Sequence, residues 1–187
     1  MRLSLLLFAL TILLSLAGTN AATAAKSDSC AHCHGTDGNS TSSAYPSLAG
    51  QTRDYLYRQM KDFKEGRRKN AMMSPSIGVL SDQDMQDLAE YFSAQSIVRS
   101  KFDADPAKVE QGRKIAQEAQ CVACHQAGFK GLNEFPRLSR QKYPYIVKQL
   151  KDYRDGLRTN DNGLHAPVAK NLSDEQIAEL AHYLASI

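Results

Sequence analysis

The sequence predicts an all-α protein made of two tandem copies of one small domain. Three observations carry that prediction. The sixteen residues from Tyr55 to Asn70 return 90 positions later as Tyr145 to Asn160, with seven identical pairs and mostly conservative swaps elsewhere. A short Cys-x-x-Cys-His unit precedes each copy, Cys30-Ala-His-Cys-His34 and Cys121-Val-Ala-Cys-His125. Apolar side chains recur at intervals of three and four, with no strand-like alternation anywhere. The 187 residues suffice for one ordinary domain or two small ones. A formal charge of +3, from 23 basic and 20 acidic side chains, argues against a dedicated nucleic-acid binder.

In chain order, Met1-Arg2 is a short positive start, Leu3 to Leu16 an apolar run, and Ala17 to Ala25 a stretch of small residues. That order is the secretory-leader pattern, and residues 1–24 are assigned to it, with cleavage after Ala17, Ala21, Ala24 or Ala25. The run falls short of the ~20 residues that a spanning helix needs, so an uncleaved anchor is the lesser reading. The first domain is expected over 25–98 and the second over 99–187, joined through the polar stretch Ser96 to Asp105. Asp105-Pro106 is a good N-cap and first-turn pair, opening a helix with Val109, Gly112, Ile115, Ala116 and Ala119 on one face that delivers Cys121. Pro136-Arg-Leu repeats Pro46-Ser-Leu. Tyr145, Ile146, Gln149, Leu150 and Tyr153 hold helical spacing until Gly156. Leu172-Ser-Asp repeats Leu80-Ser-Asp, and Ser173 with Gln176 reads as a capping box before Ile177, Leu180, Ala181 and Leu184.

All four cysteines of the chain lie in the two Cys-x-x-Cys-His units. Each unit is the attachment signature of c-type haem. Two thiols three positions apart on a helical turn add to the two vinyl groups of one porphyrin, and the adjacent histidine meets the iron. Zinc ribbons also use Cys-x-x-Cys, but they leave both trailing histidines unexplained. Two covalently bound haems c are therefore expected, on Cys30, Cys33 and His34 and on Cys121, Cys124 and His125.

Tandem Cys-x-x-Cys-His domains, a Pro-x-Leu segment after each, and Met73-Ser-Pro75 ahead of Leu80-Ser-Asp resemble the di-haem class I cytochromes c of the cytochrome c-four type. The resemblance implies two tandem class I cytochrome c domains, each a small helical fold around one haem. It implies a periplasmic electron carrier, soluble or loosely held at the inner membrane, whose partners are redox proteins such as a membrane cytochrome complex or a terminal oxidase. It further implies that the carbonyls of Pro46 and Pro136 orient His34 and His125, a role that fixes the metal-binding tautomer.

The sixth iron ligand separates the halves. Met73 stands two residues before Pro75 and matches the family's distal methionine, with Met72 as its rival. The second half contains no methionine, and His165 occupies the matching register, two residues before Pro167. Bis-histidine ligation by His125 and His165 is expected there; the alternative is a five-coordinate iron with His165 nearby. Asn160-Asp-Asn-Gly163 lengthens this loop by two residues. A His/His haem lies below a His/Met haem in potential, which would make the second haem the site where electrons enter. His32 and His182 are read as surface residues, and Lys64, Arg67, Arg68, Lys69, Arg154 and Arg158 as a solvated face before propionate or docking partners. A di-haem redox enzyme or a ligand-binding sensor stays open as the alternative function, because either would use an open second iron.

Overall fold

The structure is a computed structural model, and it describes residues 26–99 and 101–187. In the first half, residues 26–34 are helical (α1), followed by α2 (Arg53–Lys64), α3 (Met73–Gly78) and α4 (Asp82–Ser93). In the second half α5 (Pro106–Glu118) leads to the short α6 (Val122–His125) and a 3-10 turn (Ala127–Phe129). There follow α7 (Tyr143–Arg154), α8 (Ala166–Ala169) and α9 (Asp174–Ser186). Among the described residues no named strand forms; Leu132 and Phe135 make a single bridge.

The helices start where local chemistry starts them. Ser81 and Asp84 close a capping box on α4, as Ser173 and Gln176 do on α9, each pair satisfying two otherwise orphaned N–H groups. The Asp105 carboxylate accepts from the N–H groups of Ala107 and Lys108, and Pro106 sits at the first turn of α5. The helix expected to run on into Cys121 breaks first. α5 ends at Glu118, Gln120 takes a φ of 53°, and Cys121 caps the separate helix α6.

The second half packs around Ile115, Ala116, Phe129, Ile146, Leu180, Ala181, Leu184 and Ala185. The first half divides its core between a cluster of Leu56, Leu88, Ala89 and Phe92 and another of Phe63, Ile77 and Met85. Cores this small give marginal stability alone. α5 crosses closely over α9. A Cβ added at Gly112 would lie 2.1 Å from the Glu179 carbonyl oxygen and 2.9 Å from Tyr183 Cβ, so only glycine permits this approach.

The two halves meet through a reciprocal exchange. Gln51 accepts from the N–H of Arg137 (2.6 Å) and donates to its carbonyl (3.0 Å). Gln141, its counterpart 90 residues on, accepts from Ser47 N–H (2.8 Å) and donates to Ser47 O (2.9 Å). Nearby, Arg68 donates to Gln59 of its own half and to Tyr145 and Gln149 of the other. Arg158 donates to Gln149 of its own half and to Tyr55 and Gln59 of the other. Arg68 and Arg158 are thus not a solvated face: Arg158 is 7% exposed, and both close the seam between domains. Lys64, Arg67 and Arg154 do lie at the surface, tied to Leu80 O, to Asp62 and Glu65, and to Asp155 and Asp174 respectively.

His182 also departs from a surface reading. Its ring packs against the stacked pair Phe102 and Tyr143, and its Nδ1 accepts from the Asp105 N–H at 3.2 Å. It fastens the connecting segment onto α9. The leader expected at 1–24 lies outside the described residues.

Candidate functional site

In each half a helical turn presents two thiols and one imidazole. Cys30 and Cys33 lie half-buried on α1, with His34 buried at its end; Cys121 is half-buried, Cys124 exposed, and His125 buried at the end of α6. Burial pushes the Cys30 and Cys121 thiols up, each further raised by the neighbouring cysteine. Among the described residues no group of three or more His, Cys, Asp or Glu side chains is placed to hold a bare metal ion.

His34 Nδ1 donates to the Pro46 carbonyl at 2.9 Å, and His125 Nδ1 donates to the Pro136 carbonyl at 2.8 Å. Both rings are held neutral, chiefly because burial lowers their affinity for a second proton. A neutral imidazole whose Nδ1 is engaged offers Nε2 as its metal-binding atom. The residue after each proline belongs to the interdomain exchange. Arg137, 3% exposed and without a carboxylate partner among the described residues, spends its guanidinium on the carbonyls of Ala49, Gly50 and Ser139. Burial, with Arg140 alongside, draws it down to about 10.

The two distal segments differ in kind but share a scaffold. Met73 opens α3 and packs against Phe63, Ile77 and Met85, whereas Met72 is 61% exposed. Asn70 Oδ1 accepts from the N–H groups of Met72 and Met73, which shapes this turn. Arg68 lies over the Phe63 ring at 4.7 Å. In the second half Arg158 lies over the matching ring, Tyr153, at 4.6 Å, and the His165 imidazole stacks on Tyr153 at 4.4 Å and 17°. His165 therefore leans on the same aromatic position as Met73.

The His165 and His125 rings stand 5.9 Å apart, centroid to centroid. His165 Nδ1 donates to Asp161 Oδ2 at 2.8 Å, so Nδ1 is engaged on both rings. Burial lowers the His165 pKa while Asp161 pulls it back up. The Asp161 carboxyl is pushed up by burial, but hydrogen bonds from His165 and from the Gly163 backbone outweigh that and leave it low. The two imidazoles stand about half an ångström closer than a pair that binds one metal between them. Two metal–nitrogen bonds of ~2 Å, plus ~1.2 Å from each nitrogen to its ring centre, span about 6.4 Å. Elsewhere, Arg58 Nε and Gln59 Nε2 on α2 are buried donors without acceptors among the described groups. A haem propionate is the kind of acceptor they lack.

Sequence reasoning missed Asp161, Arg137 and the seam of Tyr55, Gln59, Arg68, Tyr145, Gln149 and Arg158. The signal for the seam was available. Tyr, Gln and Arg are retained at matching positions of the repeat, where an amphipathic helix alone does not require them.

Comparison with known proteins agrees with this architecture. The cytochrome c family matches residues 19–96 and again 109–187. Cytochrome c4 of Pseudomonas aeruginosa is 40% identical over 98% of this chain and 96% of its own length. The thiosulfate dehydrogenase electron acceptor of Stutzerimonas stutzeri is 34% identical over 84% of this chain and 78% of its own. The crystal structure of reduced recombinant cytochrome c4 from Pseudomonas stutzeri superposes with a TM-score of 0.83 at 37% identity, covering 89% of this chain and 97% of that one. Two such domains, matched in sequence and in structure across most of the chain, make it a member of the cytochrome c4 family, a di-haem electron carrier with both haems c covalently attached.

Proposed function

We propose that this protein carries single electrons in the periplasm between respiratory-chain redox proteins. Its domains are 25–98 and 99–187, with His34 and Met73 holding the first iron and His125 and His165 the second. Each haem, once attached, supplies a one-electron ferric–ferrous couple. The chain supplies the thioether anchors Cys30, Cys33, Cys121 and Cys124, and the carbonyls of Pro46 and Pro136 that set the tautomers of His34 and His125. A thioether from Met73 favours ferrous iron and a second imidazole from His165 favours ferric iron, so the two potentials are set apart.

The observation that supports the second ligand set best is the 5.9 Å between the His125 and His165 rings, with Nδ1 engaged on both. For the first iron, the packing of Met73 and the exposure of Met72 favour Met73. The leader pattern of residues 1–24 supports export. Among the described residues no helix is long and apolar enough to cross a membrane. A relative named as the electron acceptor of thiosulfate dehydrogenase supports a redox protein as donor.

The test is a redox titration of the matured di-haem protein that follows the far-red iron–methionine charge-transfer band, with Met72→Ala, Met73→Ala and His165→Ala variants alongside. The band should account for one haem, vanish with Met73→Ala and survive Met72→Ala. His165→Ala should alter the lower wave alone. Coincident waves, or a His165→Ala protein indistinguishable from the parent, would return the second iron to the enzyme or sensor readings.

A further inference from the structure

The two extra residues in the second distal loop change what the loop does. In the first half Asn70 alone caps the turn, accepting from the backbone of Met72 and Met73 at 3.0 Å each. Its counterpart, Asn160, has left that post and reaches across the seam to Gln59 and Asp62. Asp161 takes over the capping: Oδ1 accepts from Gly163 N–H at 3.1 Å, and Oδ2 from His165 N–H at 2.7 Å. At the equivalent site one asparagine oxygen accepts both N–H groups, whereas here the turn engages both carboxylate oxygens. Asp161 makes one further bond, from the His165 ring, and it does so while only 5% exposed. Burying a carboxylate is costly, and three N–H donors offset that cost here.

We propose that Asp161 is a positioning residue for the second haem iron: its carboxylate holds the Nδ1–H of His165, aims Nε2 at the metal, and makes the imidazole a stronger donor that favours ferric iron. This rests on His165 being the distal ligand. A carboxylate on the outer nitrogen of a metal-binding histidine fixes ring orientation and raises ligand basicity, and removing such a partner typically changes metal affinity 10–100-fold. The Tyr153 ring, stacked at 17°, prevents the imidazole from rotating about that bond. The first half has no such device, because a thioether carries no second nitrogen to hold. The lengthened loop and the change from methionine to histidine therefore form one adaptation.

The experiment titrates the matured di-haem protein and records its electron paramagnetic resonance, as parent, Asp161→Asn, His165→Met and the double variant. Asp161→Asn keeps one of the two accepting oxygens and removes the charge. The expected result is a tenfold loss of ferric preference at the second haem, a rise of about 59 mV for a one-electron couple. The first wave should stay fixed and the low-spin bis-histidine signal should persist. In the His165→Met background the same substitution should move the second wave much less, because no ring N–H remains to be held. An unmoved second wave in Asp161→Asn, beside a His165→Met protein that gains a second iron–methionine band, would overturn the role of Asp161 and leave the ligand standing. An equal shift in both backgrounds would reduce Asp161 to a distant charge and overturn it too. A His165→Met spectrum identical to the parent would remove the ligand itself. If Asp161→Asn does not mature, Asp161→Ser, which removes the charge and keeps one short capping oxygen, provides the same comparison.

Discussion

Replacing Gly112 by alanine tests whether the α5–α9 crossing is as tight as its geometry states. The new methyl would sit 2.1 Å from Glu179 O and 2.6 Å from Glu179 C, both backbone atoms of a helix that cannot step aside independently. Ordinary contact begins at 3.4 Å, so the helices must part by about 1.3 Å at this point. That separation runs through the core of Ile115, Ala116, Leu180 and Ala181. Overpacking of this kind costs ~1–3 kcal/mol and occasionally more. Alanine offsets roughly 1 kcal/mol of it through its better helix propensity. Because the obstacle is backbone, the upper part of the range applies, and a net loss of about 2 kcal/mol is expected. For a domain of this size that lowers the melting temperature by ~8–16 °C. Far-UV circular dichroism of the matured protein measures it, with Gly78→Ala as the control. No atom lies within 4 Å of a Cβ added at Gly78, so that variant should melt at or above the parent temperature. A Gly112→Ala protein at or above the parent temperature would refute the reasoning, since propensity would then outweigh the contact.

Other expectations follow from the same coordinates. Gln51→Ala strands the buried Arg137 backbone groups, and Gln141→Ala those of Ser47. Each should cost ~1–3 kcal/mol, and guanidinium melts of the variants should separate into two domain transitions where the parent shows one. Asp84 is held at about 2, against 3.8 ordinarily, first by Lys26 and then by Ser81. Its folded pKa is the lower one, so its stabilisation is complete above pH 4 and is lost as pH falls toward 2. An Asp84→Asn protein should accordingly lose less stability than the parent across that interval, and an equal loss in both would exclude the Lys26 pair as the cause. Burial, followed by Lys108, lowers the His182 pKa below 6.5, with Asp105 opposing. Protonation cancels the bond from Asp105 N–H, so this fastening weakens as pH drops below 6.5. Hydrogen exchange at 101–105, corrected for intrinsic rates, should quicken between pH 8 and pH 5 in the parent and stay level in His182→Phe.

The helices were legible because their signals are local. Asp105-Pro106 and Ser173 with Gln176 declare helix starts within four residues, and the repeat gave each element a second reading. The segment before Cys121 was less legible, since nothing in its composition marks the positive φ at Gln120 that ends α5 early. The seam was invisible for another reason. Its bonds join residues 77 to 103 positions apart, and the benefit of each depends on a partner whose location only the fold supplies. His182 illustrates the same limit: counted along α9 it faces outward, but the connecting segment returns over it with Phe102 and Asp105. At the second site proposed for iron, His165 was read from its register and the lengthened loop by counting. That Asp161 turns inward onto His165 required coordinates.

The exchange of Gln51 and Gln141 across the seam has the form of an isologous contact, the kind that joins two identical subunits about a two-fold axis. In a homodimer every substitution appears twice, so both sites must carry the same ligands and sit at the same potential. Covalent fusion of the copies removes that restriction while keeping the contact. Ser47 can then stand where the other copy has Arg137, and Met73 where it has His165, without either change being copied to the other half. A symmetric pair holds two equal electrons; a fused pair can hold a downhill step, and with it a preferred direction.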